Sequence, residues 1–291
     1  KQFLGILSLT PILYAMKTVN ELFSYNDILP NTAKMPVLFL GHGSPMNAIE
    51  ENEFVTGFRN IAKTIPTPTA ILCISAHWYT KGTKVTAMKM PQTIHDFGGF
   101  PKELFEVQYP AKGSPELALL TKELILPTEV ELNHDWGLDH GAWSVIKHLY
   151  PEANIPVIQM SIDYSLTGQA HFEIAQKLQS LRNKGILIIG SGNIVHNLRM
   201  IDWANFDKDN YGFDWAIEAR EKINKNIIDG DFANLINYQK QGKAFDLAIP
   251  TPDHYLPLLY TLGLKNESEN IQLFNDKLLA GSLSMTSMKI G

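Results

Sequence analysis

Four short apolar runs constrain this chain more than any other feature: "MPVLFLG" (35–41), "TAILCISA" (69–76), "IPVIQMSI" (155–162) and "GILIIGSG" (185–192). Their length, their Pro, Gly or Ser boundaries and their β-branched content read as strands buried on both faces. Helical patterns lie between them. In 52–65, Phe54, Val55, Phe58, Ile61 and Ala62 recur at three- and four-residue steps. "SPELALLTKELI" offers Ser114 as a cap and Pro115 in the first turn, and "AWSVIKHLY", 167–183 and 213–228 read similarly. Strands alternating with helices at this spacing predict an α/β fold, a central and mostly parallel sheet flanked by helices. "ENIQLFND" and "GSLSMTSMKI" read as two closing strands, an antiparallel addition that makes the sheet mixed.

The chain of 291 residues, 45% of them hydrophobic, is long enough for one large core. No repeat or low-complexity linker divides it, so a single catalytic-sized domain is expected over 35–291. Residues 1–34 read as an N-terminal extension. Within it "FLGILSLTPILYAM" is too short and too interrupted to span a bilayer, and reads as an added helix or arm, or as the remnant of an export signal in residues 1–16. The formal charge of −5 and the lack of a Lys/Arg cluster argue against a nucleic-acid partner. Cys73 is the only cysteine, so no intrachain disulfide forms, and inside "AILCIS" it reads as a small buried hydrophobe. A cytoplasmic location fits, with periplasmic export the alternative if residues 1–16 are a shortened signal. Subunit count leaves no mark on the sequence.

Ligands of open α/β sheets bind beyond the carboxyl ends of the strands. His42 follows "VLFLG", His77 follows "ILCISA", and His196 follows "ILIIGSGNIV". His140 opens a helix after "DWGLD", and His254 sits in "PTPDHYLPLL", ahead of a helix expected to begin near Asp253. These five can meet at one rim. Each also has a plainer reading as a solvated or hydrogen-bonded loop histidine, and "GSGN" reads equally as a tight strand-to-helix turn with Asn193 and Asn197 placed to orient an imidazole. His148 and His171 read as structural. His95 and His134, each before an Asp in an aromatic, glycine-rich loop, suit a pocket wall or an ordinary loop.

Other chemistries are poorly represented. There is no "HExxH", no "GxxxxGK" phosphate loop, no third glycine for a dinucleotide fingerprint and no "GxSxG" around Ser44. A metal held by dispersed histidines is the strongest chemistry left, and spacing identifies neither the ion nor its ligands.

The blocks "LFLGHGSPMNAI", "ISAHWYTKGTKV", "TIHDFGGFPKELFEVQYPAKG", "LDHGAWSVIKHLYPEANIPVIQMSID", "ILIIGSGNIVHNLR" and "PTPDHYLPLLYTLG", in this order, resemble the class III extradiol ring-cleavage dioxygenases, in particular the DOPA 4,5-dioxygenase-like branch. The resemblance runs from about Met35 to Gly291. It implies one Fe(II) or Zn(II) ion per chain, with His42 and His77 as ligands. It places His254, in the "TPxHxxPL" block, where the wider class has a glutamate. It implies His196 as the acid–base residue, His140 as a second catalytic residue contacting substrate, and a small aromatic diol with O2 as partners. The implied reaction opens the ring of a DOPA-like catechol to a semialdehyde. A zinc-dependent hydrolase or non-oxidative metal-binding relative is the alternative, and a non-catalytic small-molecule binding domain a further one. Trp78, Phe97, Phe100 and Tyr255 are candidates to wall the ring or to sit in the core.

Overall fold

The computed structural model describes residues 31–291; the first thirty residues, and with them most of the expected 1–34 extension, lie outside the described residues. The strands are β1 (Val37–Gly41), β2 (Ala70–Thr80), β3 (Thr83–Thr86), β4 (Val130–Asn133), β5 (Val157–Asp163), β6 (Ile186–Gly192), β7 (Ile271–Phe274), β8 (Leu278–Leu279), β9 (Leu283–Ser284) and β10 (Ser287–Ile290). The helices are α1 (Glu53–Ala62), α2 (Lys102–Phe105), α3 (Pro115–Leu124), α4 (His140–Leu149), α5 (Gly168–Lys177), α6 (Asp214–Asp229), α7 (Phe232–Ile236), α8 (Lys243–Ala248) and α9 (Leu256–Gly263). Eight strands form one sheet in the order β4-β3-β5-β2-β6-β1-β10-β7, and β8 and β9 form a separate hairpin.

The four apolar runs are the centre of that sheet. β5, β2, β6 and β1 lie side by side and parallel, with Leu72 opposite both Ile158 and Ile188, and Phe39 opposite Gly190. Side chains alternate between faces along each strand. Val37, Phe39, Leu72, Ile74, Ile158 and Ile188 therefore pack beneath α5, α6 and α9, against Ile174, Ile223, Ile227 and Leu258. Leu38, Leu40, Ile71, Cys73, Val157 and Ile189 face the other way, against Phe54, Phe58 and Ile61 of α1 and Trp143, Val145 and Ile146 of α4. Cys73 is fully buried, and burial pushes its thiol pKa well up. It is packing, not a reactive group.

Both flanks are antiparallel. β10 pairs with β1 and β7, as the closing strands implied, and β3 joins β5 antiparallel before β4 pairs with β3 in parallel. β3 and β4 carry little apolar signal in "TKVT" and "VELN" and were not expected. The stretch expected as one helix over 167–183 ends at Lys177 and continues as a 3-10 turn that Gly185 stops at φ 76°. α9 begins at Leu256, after a turn, not at Asp253. Caps follow local chemistry: Ser114 accepts from Leu117 N, Asn52 from Val55 N, and Asp139 from Ala142 N. Among the described residues, no helix is long and apolar enough to cross a membrane.

Candidate metal centre

The five histidines are delivered by strands, by a helix start and by the turns beside them. His42 directly follows Gly41 and is almost wholly buried, its backbone N–H donating to Gly192 O at 3.2 Å. Ser191 Oγ donates to Gly141 O, which leaves the serine oxygen to accept from His42 Nδ1, 3.0 Å away. That bond turns His42 Nε2 inward. His77 rides an irregularity in β2, whose pairing with β5 jumps from Ile74–Met160 to Tyr79–Ile162. Such bulges re-aim a side chain. His42 Nε2 and His77 Nε2 face each other at 3.2 Å.

His140 is the first residue of α4. Its cap, Asp139, accepts from Ser75 Oγ at 2.6 Å and from Gln159 Nε2 at 2.7 Å, so the start of the helix is locked to β2 and β5. Gly141 leaves the space His77 occupies: a Cβ there would stand 2.8 Å from His77 Cδ2. His254 lies in the turn before α9, with its Nδ1 on Asp253 Oδ2 and its carbonyl accepting from Asn193 N. A side chain at Gly192 would collide with that carbonyl. His196 is held by its backbone N–H on Ala248 O at 2.8 Å, and its ring stacks on His254 with centroids 3.5 Å apart and planes 8° apart.

All five imidazoles thus meet at one rim, beyond the carboxyl ends of β1 and β6 and beside the irregular last part of β2, within which His77 lies although the sequence placed it after the strand. Donor nitrogens of His42, His77 and His140 lie within 4.8 Å of one another, a three-histidine cluster able to coordinate a divalent metal. The rings of His42, His77 and His254 form a nearly equilateral triangle, with centroids 5.0, 5.0 and 5.2 Å apart. Asp96, which the sequence reading passed over, places Oδ2 at 3.2 Å from His77 Nδ1 and 3.0 Å from His140 Nδ1.

Burial dominates the electrostatics. It lowers the pKa of His42 well below the ordinary value, with the neighbouring imidazoles adding to the effect. Burial also lowers His140 and His254, against the pull of Asp96 and Asp253 respectively. His196 is held down to about 2, first by burial and then by His254. In His77 burial is outweighed by Asp96, Asp139 and Asp253, and the pKa rises. Burial opposes charge on Asp96 too, but His140 and His77 hold the carboxyl far below the usual range. Neutral, oriented imidazoles are what a divalent ion requires. Between the facing Nε2 atoms of His42 and His77, a proton on His77 or a cation bound by both closes the contact.

The other histidines stand apart. His148 is buried in α4 with Nε2 on Asn47 O at 2.7 Å, and His171 is fully buried with Nδ1 on Tyr260 Oη at 2.9 Å. His134 is exposed, and His95 bonds Val107 O at 3.0 Å within an aromatic cluster. Asn193 and Asn197 hold backbone carbonyls of Ser284 and Leu247 and do not orient an imidazole. Trp78 stacks on Trp136 and Tyr255 bonds Leu235 O, so both belong to the interior. Phe97 stands edge-on to His140 at 5.4 Å and contacts Phe100 at 5.4 Å, forming a wall beside the cluster. A cavity of about 400 Å³ lined by Arg59, Lys147 and His148 shares no residue with the cluster.

The sequence profile of the family described as "Catalytic LigB subunit of aromatic ring-opening dioxygenase" matches residues 36–283. The chain belongs to that family. It is 46% identical over 269 residues to the "4,5-DOPA dioxygenase extradiol" of Escherichia coli (strain K12), covering 91% of this chain and 98% of that protein. Identity to the protein of the same description from Beta vulgaris is 34% over 258 residues, covering 86% and 94%. The crystal structure of an uncharacterised Escherichia coli K12 protein superposes with a TM-score of 0.77 at 42% identity, covering 89% of this chain and all 100% of that one. The chain is a metal-dependent extradiol ring-opening dioxygenase, an oxidoreductase acting on an aromatic diol with O2.

Proposed function

We propose that His42, His77 and His254 hold one iron(II) ion, that His196 and His140 are the catalytic residues, and that the substrate is a DOPA-like catechol opened next to its diol to a semialdehyde. The supporting observation is the triangle of rings. An imidazole bound at about 2.1 Å has its centroid about 3.2 Å from the ion, so ligands 90–110° apart have centroids about 4.5–5.2 Å apart. The 5.0–5.2 Å sides of the His42, His77 and His254 triangle fit that range. The His77 and His140 centroids, 3.8 Å apart, fall short of that range, which favours His254 over His140 as the third ligand. The reading puts His140 on the substrate side, with its nitrogen within reach of those of His42 and His77. Zinc has no redox chemistry, so a reaction that consumes O2 favours iron.

Bound there, iron(II) would supply a Lewis acid that acidifies a catechol hydroxyl and a redox centre that relays electrons from ring to oxygen. The protein's residues do the rest. His196, neutral and stacked beside His254, accepts the hydroxyl proton and can return it to the developing product oxygen. His140, fixed at the start of α4, presents its second ring nitrogen where negative charge develops on oxygen. Phe97 closes the side of the pocket nearest His140 and excludes water from the ring. The catalytic domain is assigned to 35–291, and a cytoplasmic location is supported only by the lone buried cysteine.

Oxygen uptake by anaerobically iron-loaded protein tests the reading. One O2 consumed per DOPA, with a yellow semialdehyde product, is expected. Retained iron with no oxygen consumed from DOPA or simpler catechols contradicts it.

A further inference from the structure

Asp96 lies in the loop between β3 and α2, and its carboxylate touches three groups of the site. Oδ1 accepts the backbone N–H of His140 at 2.8 Å, the first donor of α4. Oδ2 lies against two imidazole nitrogens, His77 Nδ1 at 3.2 Å and His140 Nδ1 at 3.0 Å. The 3.0 Å separation is an ion-pair contact, and the buried His140 Nδ1 has no hydrogen-bonding partner among the described residues.

We infer that Asp96 is a positioning residue that sets two rings at once, holding His77 and His140 with the proton on Nδ1 so that both present Nε2 to the reaction centre. Carboxylate-backed histidines are a common way of orienting metal ligands. What this chain adds is one oxygen serving both a proposed metal ligand and a proposed substrate-side residue, on two different elements. Neither ring can turn without disturbing the other's support. The next residue, Phe97, forms the wall beside His140, so the same anchor fixes the aromatic loop against the site. The roles given to His77 and His140 rest on the function proposed above; their ring orientation does not.

Two measurements test the inference separately from that function. In metal-free full-length protein, imidazole nitrogen NMR is expected to find a proton on Nδ1 of both His77 and His140; a bare Nδ1 on either ring overturns the inference. Asp96→Asn keeps the shape and removes the charge. With Zn2+ alone as probe, its affinity is expected to fall about 10- to 100-fold at an unchanged melting temperature of the metal-free protein. Wild-type affinity in a variant whose two rings keep the wild-type NMR signals overturns the inference. Failure of the wild-type protein to take up Zn2+ or Fe2+, with both Nδ1 atoms protonated, sinks the metal assignment and leaves the positioning role supported.

Discussion

At the scale of single residues, what each buried ring faces separates the histidines by role, since His42, His140 and His254 of the site are buried like the structural His148 and His171. His196→Ala removes the proposed proton acceptor and leaves the triangle of ligands intact. Its kcat is expected to fall about 10²- to 10⁴-fold with the iron content per chain unchanged, checked by turnover and metal analysis of one preparation. His171 gives the contrasting case, a buried imidazole far from any chemistry. Burial, opposed by Asp163, holds it at about 4 against an ordinary 6.5. The unfolded chain therefore takes up the proton first. Stability that is full above pH 6.5 is lost as pH falls towards 4, by roughly 3 kcal/mol in total. His171→Gln can keep a hydrogen bond to Tyr260 without titrating. Denaturant unfolding at pH 7 and pH 4.5 should show a smaller loss between the two for the variant than for the wild type.

At the scale of elements, the placement of His77 depends on what α4 does not carry. A Cβ on residue 141 would stand 2.5 Å from Ser75 Oγ and 2.8 Å from His77 Cδ2. Alanine is the better helix former by about 1 kcal/mol, but overpacking costs about 1–3 kcal/mol. Gly141→Ala is thus expected to lower stability by about 1 kcal/mol and weaken Zn2+ binding by displacing His77; thermal melts and a Zn2+ titration check both. The four parallel strands and their helices were legible because buried strands must be apolar and helices must show one apolar stripe. β3 and β4 were not, since four-residue strands at the margin of the sheet, such as "TKVT" and the edge strand "VELN", are too short to show either pattern. His42, His77 and His196 were legible as residues near strand ends, and His140 and His254 as residues at helix starts. Asp96 was not, because a carboxylate on a loop acquires its role only when β2 and α4 bring two rings to it. Gln159, a polar residue inside the run "IPVIQMSI", was a readable sign that something buried needed a partner; it holds Asp139.

At the scale of the whole molecule, one buried cation ties the far side of the sheet together. Arg182 Nε donates to Met35 O at 2.8 Å, its Nη1 donates to Leu264 O at 2.6 Å, and its guanidinium pairs with Glu269. These contacts join the segment entering β1, the turn before β6 and the approach to β7. Arg182→Met leaves Met35 O without its side-chain donor, Leu264 O with only Gln179 Nε2 at 3.4 Å and Glu269 with Lys34 as its remaining cation, and is expected to cost about 3 kcal/mol in denaturant unfolding, with iron affinity of the folded fraction unchanged. Stability is thus anchored at the amino ends of the strands and chemistry at their carboxyl ends.

The convergence of imidazoles at those carboxyl ends is the central claim, and anomalous diffraction at the iron edge from iron(II)-loaded crystals tests it most directly. The expected result is a single peak per chain at bonding distance from ring nitrogens of His42, His77 and His254, with His140 and His196 nearby but unbound. A peak ligated by His140 in place of His254, or one lying away from His42 and His77, would contradict it.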